Sequence, residues 1–314
     1  MTHIRAIVLA TCLLLLPAVL TAQSFTVMSL KGKVEVKMGG KKKAAWKAVS
    51  IGDQLTGEDV LRTSFASYAK LMMDQKRLVS IDENSSMKLK EFVQKGATPA
   101  AGASGKLLQY AAAQMRKSRD NKQENVFGAV RGDMDVVSAA FPKQHLMTTK
   151  PLFRWVDPAQ HGKYELVLLD DSFTVIARMQ TEHQSLQYLA ETAILLENDR
   201  EYHWRVRRMT DGLESGVESF RILPRDTIDA IRKELERLDT ELRGMNADDV
   251  TLHLIRGIYF EQKGLYTDAF NEYSETVRLA PDVAEYRDML RSLLFQMKLY
   301  NEEEQLVPPG PENK

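Results

Sequence analysis

The sequence predicts a multidomain α+β protein with an N-terminal all-β domain, a central β-sandwich and C-terminal α-helical hairpins. Three observations carry this prediction. Short runs over 23–144 alternate apolar with polar residues. A second, aromatic-rich series of alternating runs covers 145–224, and from 225 the apolar period lengthens from two residues to between three and four. The chain has 314 residues, 44% hydrophobic and 27% charged, which supports several packed cores and excludes global disorder.

Residues 1–22, MTHIRAIVLATCLLLLPAVLTA, read as an address. His3 and Arg5 precede an almost wholly apolar run, and small Ala22 stands just before Gln23, the layout of a cleaved secretory signal peptide. A retained anchor is the alternative, although the run is shorter than the ~20 residues a spanning helix needs. The single cysteine, Cys12, lies in this run, so the rest of the chain has no disulfide framework and no cysteine-based metal site or nucleophile. The expected location is exported: periplasmic, or associated with the outer membrane or cell surface. Any membrane contact would be peripheral.

The first block, 23–144, opens with Phe25-Thr26-Val27-Met28 and Lys33-Val34-Glu35-Val36-Lys37-Met38, each with the period of a half-buried strand. Gly39-Gly40 supplies a tight turn. Further strands are expected at 59–62, 68–73, 78–81 and 86–92, separated by turn signals at Gly52-Asp53, Asp74-Gln75 and Glu83-Asn84. Residues 95–105 are small and flexible in composition, and Lys106 begins a helix-prone run to Lys122, so 95–122 is read as an insertion.

The order Gly32-Lys33-Val34, Ile51-Gly52-Asp53-Gln54-Leu55, Gly57-Glu58-Asp59-Val60-Leu61-Arg62-Thr63, Ser67-Tyr68-Ala69-Lys70-Leu71 and Leu78-Val79-Ser80-Ile81 resembles the periplasmic FecR domain. Val126-Phe127-Gly128-Ala129-Val130-Arg131-Gly132-Asp133 is similar to the strand that closes that domain. Asp74-Gln75-Lys76 replaces the family's usual Asp-Gly-Ser turn, and Asp133 stands where threonine is common. Named members of the family are transmembrane regulators that relay a siderophore signal to a cytoplasmic sigma factor. Nothing like their cytoplasmic segment precedes the apolar stretch here, so the resemblance implies the extracytoplasmic fold without the regulator activity.

The second block, 145–224, reads Pro151-Leu152-Phe153-Arg154-Trp155, Tyr164-Glu165-Leu166-Val167-Leu168, Tyr202-His203-Trp204-Arg205-Val206 and Ser219-Phe220-Arg221-Ile222. This arrangement is similar to a fibronectin type III or immunoglobulin-like sandwich, which implies Trp155 and Trp204 as core aromatics. A sugar-stacking platform of Trp155, Tyr164, Tyr202 and Trp204 is the alternative, but their alternation with charged residues puts them on one inward face.

In the third block, 225–307, Ile228, Ile231, Leu235, Leu238 and Leu242 mark an amphipathic helix over 226–243, and further helices are expected near 249–262, 266–279 and 283–297. Gly257, Phe260, Gly264, Tyr266, Ala269, Tyr273 and Pro281 have the spacing of one tetratricopeptide repeat, and a truncated second copy starts near Ala284. A repeat unit cannot bury its apolar face alone, so helix 226–243 is expected to cap the pair. Residues 308–314 read as a disordered tail.

No catalytic constellation is legible. His145, His161, His183, His203 and His253 lack zinc-helix spacing, no nucleophile elbow or phosphate loop is present, and Asp170-Asp171 and Asp248-Asp249 read as turn or cap residues. The expectation is a non-enzyme without metal or cofactor.

Two features are expected to bind. Net charge is zero, yet residues 23–146 hold 21 basic and 12 acidic side chains, whereas 147–314 hold 21 and 31. The excess is densest at Lys31, Lys33, Lys37, Lys41, Lys42, Lys43 and Lys47, which face one acid, Glu35. That patch suits peptidoglycan or another anionic polymer, lipid headgroups or an acidic protein, while nucleic acid is not expected. The second feature is the helical part, where the resemblance implies a partner groove at Thr251, Leu254, Ile258 and Glu261, or else an intramolecular brace. The resulting expectation is a periplasmic scaffold or adaptor for an envelope protein or peptide. Wall or polysaccharide binding and a ligand-sensing component of a signalling relay are the alternatives.

Overall fold

The computed structural model describes residues 23–39, 44–74, 77–95, 98–99, 102–120, 136–159, 162–189, 194–299 and 302–308. The protein is mixed α+β, with antiparallel sheets followed by C-terminal helices. The expected signal segment, Lys41 to Lys43, the FecR-like closing strand at 126–133 and most of the C-terminal tail lie outside the described residues.

The N-terminal part contains β1 (Ser24–Lys31), β2 (Val34–Lys37), β3 (Lys47–Ala48), β4 (Gln54–Thr56), β5 (Val60–Thr63), β6 (Tyr68–Met73), β7 (Arg77–Ile81) and β8 (Ser86–Lys88). There follow α1 (Leu89–Lys95), β9 (Thr98–Pro99) and α2 (Gly102–Asp120). They build two antiparallel sheets, ordered β4-β1-β6-β7-β9 and β3-β2-β5-β8. The expected strand at 86–92 is split: β8 ends at Lys88, and Leu89–Lys95 turn into a helix. The stretch expected to be flexible before Lys106 instead contains β9 and the first turn of α2, which starts at Gly102. Pairing with β7 and packing of the helix outweigh its linker-like composition.

The central part contains β10 (Ser138–Phe141), β11 (Gln144–Leu146), β12 (Leu152–Val156), β13 (Tyr164–Leu169), β14 (Val175–Thr181), β15 (Ser185–Gln187), β16 (Glu201–Arg208) and β17 (Glu218–Ile222). Their sheets run β10-β12-β15 and β11-β17-β16-β13-β14, and β11 pairs with β17 in parallel. This unit therefore starts near Ser138, before the expected boundary at 145, because β10 and β11 pair with β12 and β17. Inward residues of both sheets form its core. Phe153 meets Trp204 and Phe220 edge-on at 5.0 and 5.9 Å, and Trp155 meets Tyr164 at 5.4 Å. Each pairing adds to the area these rings bury. Trp155, Tyr164, Tyr202 and Trp204 are all buried, so they are core side chains.

The helices are α3 (Arg225–Gly244), α4 (Asp249–Gln262), α5 (Tyr266–Leu279), α6 (Ala284–Gln296) and α7 (Glu303–Leu306). Asp248 caps α4 by accepting a hydrogen bond from the Thr251 amide at 2.7 Å. Gly257 brings α4 and α5 into close contact: a Cβ there would lie 2.4 Å from the Tyr273 ring. α3 packs on α4, with Asp239 accepting from Arg256 and Glu234 accepting from the Tyr259 hydroxyl at 2.6 Å.

The described core is divided in two, in a way that cuts across the three blocks of the sequence. Apolar residues of the N-terminal sheets, α2 and the helices α3 to α6 form one continuous cluster, whereas the central unit encloses its own. The cause is visible in β1, which is buried along Phe25–Leu30 instead of on alternate residues. α2 and α4 both pack against β1, covering a face that a free-standing sheet would leave to solvent. Polar contacts cross the same seam. Lys70 donates to the Asn246 carbonyl, and the Gly32 amide donates to Asp282 at 3.0 Å. The central unit is joined to this body by Phe141 stacked on Phe270, centroids 4.3 Å apart, and by a Ser138–Glu302 hydrogen bond.

Candidate functional site

The sheet β3-β2-β5-β8 turns Val34, Val36 and Leu61 inward. Its registers pair Glu35 with Arg62, Arg62 with Ser86, and Val60 with both Lys37 and Lys88, which places these residues together on the outer face. The Arg62 guanidinium lies over the Trp46 ring at 4.1 Å and donates to Glu35 at 2.8 and 2.9 Å. Lys33 approaches the same carboxylate at 3.6 Å. Glu58 accepts from Lys90 at 2.8 Å and from Lys88 at 3.2 Å, and these two cations, Lys90 first, hold its carboxyl below the usual carboxylate range. Lys37 has no ion-pair partner among the described residues. The face thus gathers five cations, Lys33, Lys37, Arg62, Lys88 and Lys90, around Glu35 and Glu58, with one aromatic ring beside them.

The expected lysine patch is only partly of one piece. Lys33 and Lys37 are on this face. Lys31 ends β1 in the other sheet, and Lys47 pairs with Val36 at the edge, on the opposite side from Arg62. Both are exposed. Lys41, Lys42 and Lys43 lie outside the described residues. Arg62, Lys88, Lys90 and Trp46 were not legible as site residues. The usable signal was strand parity: outward positions of β5 and β8 carry cations where β2 does.

The expected helical groove is closed. Thr251, Leu254 and Ile258 are buried in the shared core. Half-buried Glu261 accepts from the Tyr273 hydroxyl at 2.6 Å and from Gln296 at 2.9 Å, bridging α5 and α6. α2 packs against α4, α6, α3 and β1, with Leu107, Leu108 and Ala111 buried. These positions therefore brace the chain's own fold in this conformation.

A third cluster joins α4 to α5. His253 Nδ1 is 2.7 Å from Glu272 Oε2, and Asp268 lies one turn earlier with a buried oxygen that has no hydrogen-bond partner. Burial, with Glu272 adding repulsion, raises the Asp268 carboxyl to about 7. Among the described residues no set of three or more metal-ligating side chains is gathered, and no helix is long and apolar enough to cross a membrane.

No protein-family model and no curated protein matches the chain. Among solved structures it is similar to the adhesin domain of Epf from Streptococcus pyogenes. Identity is 8% and the TM-score 0.23, over 64% of this chain and 67% of that one. A likeness of that size carries no argument about fold or function.

Proposed function

We propose that the chain is an exported, non-catalytic scaffold of a bacterial envelope that binds an anionic envelope polymer through the outer face of β2, β5 and β8. The supporting observation is the gathering of Lys33, Lys37, Arg62 and Lys88 on one side of a single sheet, joined by Lys90 of α1 through Glu58, against the two acids Glu35 and Glu58. Each exposed ion pair is weak by itself, but a face with an excess of positive charge concentrates counter-charge and steers a polyanion within about a Debye length, roughly 8–10 Å. The resemblances to a FecR domain, a fibronectin-like sandwich and a short tetratricopeptide unit point to modules used for contact, which agrees with this role. A closed helical inner face favours surface contact over a groove-bound peptide in the resting protein.

Co-sedimentation of residues 23–314 with purified cell-wall sacculi tests the reading. Pelleting at low salt with gradual release by added salt is expected. Failure to pellet at low salt would remove the wall as the ligand. A fragment lacking the N-terminal sheets is an unsuitable control, because α3 to α6 share their core with β1 and β6.

A further inference from the structure

We propose that β14 is a self-association edge: two copies of the chain pair β14 with β14 antiparallel about a two-fold axis at Met179, joining two five-stranded sheets into one. The edge belongs to the central unit and not to the basic sheet, so the two readings fail independently. Among the described strands that end a sheet, β14 has seven residues, whereas the others have two to four. Native proteins blunt an open edge by keeping it short or by placing lysine or proline on it. β14 reads Val-Ile-Ala-Arg-Met-Gln-Thr, with neither lysine nor proline, and its one charge, Arg178, is met by Glu165 of β13 at 3.0 Å.

The direction of the backbone shows which groups are open. In an antiparallel sheet, successive residues aim their N–H and C=O at alternate neighbours. The Met209 amide donates to the Lys163 carbonyl at 2.8 Å, so Lys163 faces β16 and the next residue, Tyr164, faces β14. By alternation, Tyr164, Leu166 and Leu168 bond their partners Thr181, Met179 and Ala177. Arg178 and Gln180 therefore turn both backbone groups to the open edge, and neither finds a backbone partner there among the described residues. The side chains of Ala177 and Met179 are half-buried at the rim of the central core.

β14 is also complementary to itself. A bulge at Ile176 interrupts its pairing, and past Thr181 the chain bends, with the Thr181 hydroxyl accepting from the His183 amide at 3.1 Å. The regular stretch is thus 177–181, with Met179 at its middle. An axis there sets Arg178 opposite Gln180 of the second copy on both sides and satisfies the open backbone groups of each. Met179 then meets its own copy on the apolar rim. An axis at Arg178 would instead oppose two arginines, which like-charge repulsion disfavours. Glu182, which reaches Lys163 only at 3.7 Å, follows Gln180 and brings an acid toward the second copy's Arg178. A seam of one strand pair is at the small end of specific interfaces, so the dimer is weak, with a Kd on the order of 100 μM.

Sedimentation equilibrium of residues 23–314 between about 10 μM and about 1 mM tests this, and a monomer–dimer equilibrium is expected. Gln180→Pro removes only an outward N–H, which a sheet edge tolerates, so it is expected to keep the circular dichroism and weaken association at least about tenfold. Gln180→Glu, set opposite Arg178 twice, should tighten the dimer about fivefold at low salt, and Gln180→Arg should weaken it about fivefold. A chain monomeric throughout that range would overturn the proposal and leave the edge to a strand of another protein. A dimer unchanged by Gln180→Pro, or one that responds alike to Gln180→Glu and Gln180→Arg, would overturn it too. Should Gln180→Pro not fold, the two charge variants decide alone.

Discussion

Asp157 and Arg208 form a buried ion pair in the central unit, Oδ1 to Nη1 at 2.9 Å, with side-chain exposures of 0% and 4%. The Tyr164 hydroxyl donates to the other Asp157 oxygen at 2.8 Å, and Arg208 also binds Asp211, whose carboxyl is lowered to about 2 chiefly by that hydrogen bond. Removing Asp157 leaves buried Arg208 paired only with the half-exposed Asp211 and takes the acceptor from the Tyr164 hydroxyl, which is costlier than replacing the whole cluster. Asp157→Ala is expected to destabilise the central unit by about 3–5 kcal/mol, and Tyr164→Phe by about 1 kcal/mol, measured by urea denaturation.

The two separate cores predict two calorimetric transitions. Leu61 in β5 and Leu290 in α6 belong to the same apolar cluster, although they come from opposite ends of the chain. Leu61→Ala and Leu290→Ala, each costing about 2–5 kcal/mol, are expected to lower the same transition, whereas Trp155→Phe should lower the other. Leucine substitutions that moved different transitions would show that the sheets and helices fold separately.

Asp268 gives a pH signature. Its folded-state value of about 7 stands above the ordinary 3.8, so between these limits the native state holds a proton the unfolded chain has lost. Stability from this residue therefore falls as pH rises from about 4 to 7 and is flat above. Asp268→Asn is expected to match the parent protein below pH 4 and to exceed it above pH 7, by on the order of 4 kcal/mol, in melting curves across pH.

Gly257 is held to its size by a neighbour. A methyl group there would meet Cδ1 and Cε1 of the buried Tyr273 ring at 2.4 Å. Gly257→Ala is expected to cost about 1–3 kcal/mol by thermal denaturation, since overpacking outweighs the better helix propensity of alanine.

Much of the secondary structure is legible in the sequence. Strand 68–73 and helices 249–262 and 266–279 stand where the apolar periods put them. Sequence period cannot report which element covers which. Thr26 looks solvent-facing in an alternating strand, yet it is buried in β1, against which α2 and α4 pack. The Gly-Ala-Ser composition of 102–105 looks like a linker because propensity omits the docking that makes it helical. The same limit applies to the candidate site. Lysines adjacent in sequence are divided between sheet faces by the two-residue period, so Lys33 and Lys47 part company. Pairing brings Arg62 and Lys88 beside Lys37 from later strands. Leu254 and Ile258 lie one turn apart on α4, and the sequence period does not show that both are enclosed in the core the helices share with the N-terminal sheets.

The most direct test of the basic face compares two neutralised proteins in sacculus binding at low salt. One carries Lys37→Gln, Arg62→Gln and Lys88→Gln on the outer face of β2, β5 and β8, and the other carries Lys31→Gln and Lys47→Gln, exposed elsewhere. The first is expected to lose at least about tenfold in affinity and most of its salt dependence, while the second changes less than about threefold. Equal losses in the two proteins, or no loss in the first, would contradict it.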